Sequence, residues 1–230
     1  SEDIYSSYDD TKAIMFSIGC ASIWLGLLNS VQEICKEKVI LQKEHMADLK
    51  LSSYLLSKFI VQGIIAFIQA TLLVGIFQKI VGSSEHSILI DGYWDIQLVS
   101  FLSILAAAST GLFISAVVKN SNIAMSVIPL ILVPQLLYSG MLFKLDGITD
   151  FVSNFVLCRW TVEALGTSVN LNDLTHIAQT INPLIEIEPE NYFTFTTEHM
   201  IEVIGIILLM TAVLMLASYF VLRKNVNKNM

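Results

Sequence analysis

Residues Ile96 to Val118 read IQLVSFLSILAAASTGLFISAVV, a run without Asp, Glu, Lys or Arg. The hydrocarbon core of a bilayer is about 30 Å thick and takes about 20 apolar residues in a helix, so this stretch is long enough to cross it. Four more stretches meet the same test: Ala13 to Gln32, Phe59 to Gln78, Ser121 to Phe143 and Val203 to Leu222. In lipid every backbone N–H and C=O must be paired within its own segment. All five are therefore expected to be helices, and the fold class is all-α, a polytopic membrane protein.

Composition agrees. Of 230 residues, 54% are apolar and 14% charged, against about 25% charged in soluble domains, and the mean hydropathy is +0.68. That pattern excludes a disordered chain. The net charge of −7 argues against a nucleic-acid partner. Cys20, Cys35 and Cys158 are odd in number and form no CxxC or metal spacing, which excludes a small disulfide scaffold. The opening SEDIYSSYDD is the opposite of a signal peptide, which needs a basic start and an apolar run. The chain is expected to be a piece of a longer polypeptide.

Basic residues set the orientation. Glu33 to Lys58, the Lys119 turn and the tail from Arg223 together hold nine basic residues against four acidic ones, whereas the opposite side holds four against sixteen. The first side is assigned to the cytoplasm, with the C-terminus on it. Five spans put Ser1 outside, so a sixth span is expected upstream if anything cytoplasmic precedes it.

The connecting segment 33–58 is rich in helix formers and lacks Gly and Pro, which predicts a helix from about Glu33 to Lys50. Ile34, Val39, Leu41, Met46 and Leu49 fall on one broad side, interrupted by Lys38 and His45. This reads either as a helix on the membrane surface with lysines toward headgroups or as a docking surface for a cytoplasmic partner. Ser103, Ala107, Gly111 and Ser115 recur every four residues and allow close helix approach, within one subunit or across a dimer. Pro129 and Pro134 predict a kink or loosening between Met125 and Leu130, and a bent helix ending at Tyr138 to Phe143 would suit an outer gate. Gln62 and Gln69 share a face of their span, with interhelical hydrogen bonding the default and a polar pathway the minority reading.

The segment Lys144 to Glu202 is the one outward stretch with room for structure. Its first part is apolar enough to dip back as short helices, with Arg159 and Glu163 four apart and able to pair; the remainder, with Pro183 and Pro189, reads as an outer loop. No GxxxxGK[ST] phosphate loop, HExxH or GxSxG is present, so no catalytic residue, metal ligand or ATP site is assigned to this chain. His45, His86, His176 and His199 read as solvated or interfacial. No charge lies within any of the five stretches, which weighs against a proton-driven carrier and an intramembrane enzyme.

Taken in order, these features resemble the membrane domain of ABC-2 type exporters, in particular the G-subfamily (White-like) half-transporters. EICKEK (residues 33–38) and IWLGLLNS (23–30) are most similar to bacterial members that fuse an upstream ATPase. Against that family, Glu33, Glu37 and the Lys43–Glu44 pair match the connecting helix, followed by LSSYLLSK from Leu51. Ser139-Gly140-Met141-Leu142 matches the end of the fifth family span, and Arg159, Trp160, Glu163, Ala164 and Leu165 match the re-entrant stretch after it. Lys43 stands where many members have Arg, and the first family span has no counterpart.

The resemblance implies a single permease domain with six spans when complete, which pairs with a second permease subunit. Glu33, Glu37, Lys43 and Glu44 would meet the ATPase. Val133, Leu136, Met141 and Leu142 would line the path or its valve. ATP and Mg²⁺ would sit on the ATPase domain, and the location would be the plasma membrane; the absence of charge in the spans, rather than the resemblance, suggests an amphipathic or apolar cargo. The rivals are a scaffold or assembly subunit that moves nothing and an ion-coupled secondary carrier.

Overall fold

The structure, a computed structural model, describes residues 8–46, 49–82, 88–141, 147–175 and 191–228. Its elements are α1 (Tyr8–Ser30), a 3₁₀ turn (Cys35–Glu37), α2 (Lys38–Met46), α3 (Leu51–Val81), α4 (Gly92–Val117), α5 (Ser121–Leu137), α6 (Ile148–Ser153), α7 (Leu157–Ser168), a helical turn α8 (residues 171–175), a second 3₁₀ turn (Asn191–Phe193) and α9 (Thr197–Lys228). No strand occurs among the described residues. Four helical segments, over Tyr8–Leu41, Leu51–Val81, Gly92–Val117 and Thr197–Val226, are long and apolar enough to cross a membrane.

Helix α4 is the hub. In its most apolar stretch 67% of the residues are buried, against 22% in α3 and α9, because α1, α3, α7 and α9 all pack on it. Association in lipid relies on close van der Waals contact and polar bonds rather than on a hydrophobic drive, and the small-residue stripe supplies that contact. A methyl group added to Gly26 of α1 would lie 2.1 Å from the Ile104 carbonyl oxygen and 2.8 Å from the Ala107 Cβ. One added to Gly111 would lie 2.0 Å from the Ser30 Oγ and 3.0 Å from the Leu27 oxygen. The stripe is thus taken up by α1 of the same chain.

These contacts fix direction. Gly26 meets Ile104, Ser30 meets Gly111, and Ser115 Oγ accepts from both Ile34 N and Cys35 N at 2.9 Å, so α1 and α4 run parallel. Asn225 Nδ2 donates to the Ala116 carbonyl at 3.0 Å, which places the far end of α9 beside the far end of α4. Helix α3 returns between them and is tied to α4 by the Gln97–Thr71 side-chain bond of 3.0 Å. The expected role of Gln62 and Gln69 as the polar link is not what these contacts show: Gln62 is buried, and Gln69 Oε1 is buried with no hydrogen-bond partner. The exposed sides of α3 and α9 carry Ile60, Ile64, Phe67, Ile68, Leu72, Leu209, Val213 and Leu216, an apolar coat that suits lipid.

At the start of α4, the fully buried Asp95 gathers the amides of Ile88 (2.7 Å), Leu89 (3.1 Å) and Ile90 (3.1 Å). A buried carboxylate so surrounded has its desolvation offset by charge-assisted hydrogen bonds. The bonds also fold the preceding segment back onto the helix.

Two expectations are corrected. The stretch Ser121 to Phe143 is helical only to Leu137, although α5 continues through both Pro129 and Pro134. Seventeen residues rise about 26 Å, so α5 is the short member of the bundle. It ends in a turn in which Gly140 takes φ +81°, a conformation that glycine adopts without the Cβ clash other residues meet. The second correction concerns residues 33–50, which are not one α-helix. Ser30 ends α1, a turn and a 3₁₀ segment follow, and α2 covers only Lys38–Met46.

Substitutions at the glycines should rank by the space around them. Gly26→Ala is expected to cost about 2–3 kcal/mol by forcing two backbones apart, and Gly111→Ala less, because the Ser30 hydroxyl can turn away. Gly75→Ala, with nothing within 4 Å, should be neutral or stabilising by up to about 1 kcal/mol. Unfolding in mixed micelles reads this order, and a Gly75 variant as damaging as the Gly26 one would refute it.

Candidate functional site

The residues singled out in the sequence fall at two stations at opposite ends of α4. The station at the corner between α1 and α3 is called inner, and the opposite one outer, after the orientation that the basic residues predict. Ser115 caps the turn after α1, and Lys38 Nζ donates to the Val118 carbonyl at 3.3 Å, satisfying one of the orphan carbonyls at the end of α4. Ile34 and Leu41 are fully buried against Leu51, Leu55, Leu112, Ala116 and Leu222. Val39 does not join them and is 66% exposed. Each residue of a 3₁₀ turn advances about 120° rather than 100°, so the segment Cys35–Glu37 rotates the following face out of the expected phase.

The four charged candidates divide here. Lys58 Nζ lies 2.7 Å from Glu37 Oε1 and 3.4 Å from Glu33 Oε2, and Tyr54 Oη donates to Glu37 Oε2 at 2.9 Å. Partial burial works to raise the Glu37 carboxyl, but the hydrogen bonds from Lys58 and Tyr54 and the lysine charge outweigh it and hold the group below its ordinary value. Glu33 and Glu37 therefore bind the corner to α3. Lys43 and Glu44 lie exposed on α2, beside exposed Val39 and Ile40.

The outer station joins α5, α6, α7, the second 3₁₀ turn and the head of α9. On α5, Ala124, Ile128 and Leu132 face the bundle, while Val133 is exposed and Leu136 half-buried. Met141 packs against the main core; Leu142 lies outside the described residues. The Gln135 side chain accepts from Cys158 N at 2.8 Å, which caps the first turn of α7 from α5. Gly166 lets the Phe193 ring approach α7 closely, since an added methyl would lie 2.5 Å from two ring carbons. An apolar crevice of about 330 Å³ opens beside Gln135, lined by Ala106, Thr110, Phe155, Leu157 and Leu209 among others.

Arg159 and Glu163 are brought together as expected, with Nε and Oε2 3.8 Å apart on one helix. Around them is a network the sequence did not disclose. The Arg159 guanidinium lies 4.6 Å from the Trp160 ring centre and 4.9 Å from that of Tyr192. It also bonds Asn154 Oδ1 and faces Asp150 at 3.9 Å. Tyr192 Oη donates to Asp150 at 2.9 Å, and Trp160 Nε1 donates to the Asn154 carbonyl at 2.9 Å. His199 on α9 places Nε2 3.3 Å from Glu163 Oε1 and 3.0 Å from the Tyr192 carbonyl. Both neighbours are oxygens and the carbonyl can only accept, so Nε2 carries the hydrogen. Burial dominates at Glu163; it outweighs the pull of Arg159 and, aided by the charges of Glu202 and Asp150, lifts the carboxyl to about 7. The one sequence signal for His199 is its place just ahead of the last apolar run.

Helices of membrane-crossing length packed through small residues, with a broken corner at one end and short helices folded over the other, define a polytopic permease-like membrane domain. The chain belongs to the ABC-2 type transporter family, whose membrane domain it matches over residues 3–168. It is 22% identical over 162 residues to the ABC transporter ATP-binding/permease protein Rv1747 of Mycobacterium tuberculosis, a match covering 69% of this chain and 19% of that protein. The chain thus spans about a fifth of the length of the curated relative it matches.

The corner should respond to charge and acid together. Lys58→Met leaves Glu33 and Glu37 without their shared cation and is expected to cost about 1 kcal/mol. Because the Glu37 carboxyl sits below its ordinary 4.5, the stability it contributes is present above that pH and is lost as the pH falls below it. Unfolding midpoints measured from pH 6 down to pH 3 should show this loss in the wild type and not in Glu37→Gln.

Proposed function

We propose that the chain is the membrane half of an ATP-driven exporter, with ATP and Mg²⁺ held on a cytoplasmic ATPase domain and the cargo path formed between two permease subunits. The relative is by its name an ATP-binding/permease protein, which supports a fused or partnered ATPase. The observation that carries the coupling role is the division at the inner corner. Glu33 and Glu37 are engaged by Lys58, so they position the corner, whereas Val39, Ile40, Lys43 and Glu44 stand exposed on a nine-residue helix. An exposed apolar pair rimmed by charge is the composition of a protein contact. In this reading α2 meets the ATPase through Lys43 and Glu44, and nucleotide shifts a two-state packing through differential contacts there.

The path follows from α5. This helix buries one face and leaves Val133 and Leu137 uncovered, which supports a second copy of the domain on that side. Leu136 and Met141 then approach the path, and Leu142 follows Met141 in the valve role that the family resemblance implies. Residues 33–58 and the C-terminus face the cytoplasm, as the basic residues argue, and the chain is embedded in the plasma membrane.

The test uses the full-length protein with its ATPase domain, reconstituted in lipid. Val133→Cys should cross-link between two copies, and the yield should change when ATP and Mg²⁺ are added. Glu44→Lys in that background should leave ATP hydrolysis within about twofold of its starting rate and abolish the nucleotide dependence of the cross-link. Absence of any cross-link overturns the paired path, and an unchanged nucleotide response overturns the docking role of α2.

A further inference from the structure

We infer that Glu163 is a proton-binding site that controls the outer closure: as the neutral acid it keeps α7, the Asn191–Phe193 turn and the head of α9 packed beneath the Ser139–Gly140 turn, and as the carboxylate it favours their separation. This rests on the outer turn being the exit gate of the proposed exporter, but the proton site itself can be read without any transport.

The geometry is that of a carboxyl group held out of water with incomplete partners. The Glu163 side chain is 6% exposed, and Oε2 has no hydrogen-bond partner; nor has Arg159 Nε, 3.8 Å away. A cavity of about 10 Å³ borders both residues together with Ser139, Gly140, Tyr192 and Phe193, room for about one water. Glu163 is thus enclosed by the gate turn on one side and by α9, through His199, on the other.

The described groups facing it can be named element by element. Arg159 lies on α7 itself, Asp150 on α6, Tyr192 in the 3₁₀ turn, and His199 and Glu202 on α9. From α1 the titratable neighbour of α7 is Cys20, which meets Cys158 rather than Glu163. Asp95 of α4 is occupied by the Ile88–Ile90 amides. One guanidinium is shared between Asp150 and Glu163, Glu202 adds a further negative charge that acts on Glu163, and His199 already serves the Tyr192 carbonyl.

The sign follows from linkage. A proton is bound more tightly in the closed state, where the carboxyl titrates near 7, than in an open, hydrated state near 4.5. Closure is therefore most favoured at low pH. The closed-to-open ratio falls by up to tenfold per pH unit from about 4.5 to about 7, about 300-fold in all, and is level above that.

Hydrogen exchange of residues 157–168 and 191–203, in the full-length protein in lipid nanodiscs without nucleotide, measures this opening once rates are corrected for the intrinsic pH dependence of exchange. Between pH 5 and pH 7 the corrected opening should rise by one to two orders of magnitude. Glu163→Gln, a neutral isostere, should stay closed and level across that range. Glu202→Gln, at an exposed position, should move the midpoint to lower pH by removing a charge that holds the proton on. A level wild-type profile, a Glu163→Gln profile that still follows the wild type, or a Glu202→Gln midpoint that fails to fall would each overturn the proposal. Loss of the Val133→Cys cross-link together with an intact exchange profile would instead count against the exporter reading and leave the proton site standing.

Discussion

Backbone-to-backbone contact between α1 and α4 is the constraint on which the rest of the molecule depends. Neither Gly26 nor Gly111 leaves space for a methyl group, and the atoms they approach are largely main-chain atoms of the facing helix. Lipid offers no hydrophobic reason for two helices to associate, so contact of this closeness is what makes the pair a unit. The same register then delivers Ser115 to the amides of Ile34 and Cys35. A serine spaced four residues from Gly111 thereby ends one helix and starts the corner.

Because α4 runs the full depth of the bundle, it touches both stations. Its inner end is capped by Lys38 and Asn225, and its outer end carries Asp95. By contrast α5 is attached along one face and at its two ends, where Ser121 lies near Cys35 (3.6 Å) and Gln135 reaches α7. Helix α5, more loosely tied than α1, α3, α4 or α9, is therefore the one that connects the inner corner to the outer turn. Polar anchors at its ends and apolar contact between them suit a rod that can tilt without unfolding.

Much of this was legible in the sequence, for reasons that also mark where legibility stopped. Apolar runs of bilayer length located α1, α3, α4 and α9 because lipid imposes both length and helicity. The four-residue spacing of Ser103, Ala107, Gly111 and Ser115 announced a close crossing, but a spacing on one helix cannot name its partner, which is Gly26 in α1. The Val39 face went wrong through a local change of helical pitch that no 100° projection contains. The end of α5 was overestimated because Tyr138 to Phe143 are as apolar as a span, while the deciding feature is a positive φ at Gly140. At the outer station, a helical interval of four exposed the Arg159–Glu163 pair; Tyr192 and His199 came from elsewhere in the chain and join through tertiary packing.

The parallel run of α1, α4 and α9 has an electrostatic consequence. Three of the long helices align their macrodipoles, and only α3 and the short α5 oppose them, so the bundle carries a residual field with its positive pole at the outer end. Asp9 and Asp10, Asp95 and Glu198 open the three aligned helices, and Lys119, Arg223 and Lys224 follow or close two of them. The lopsided distribution of charge, from which the sequence predicts an orientation, therefore also offsets the polarity of the folded bundle.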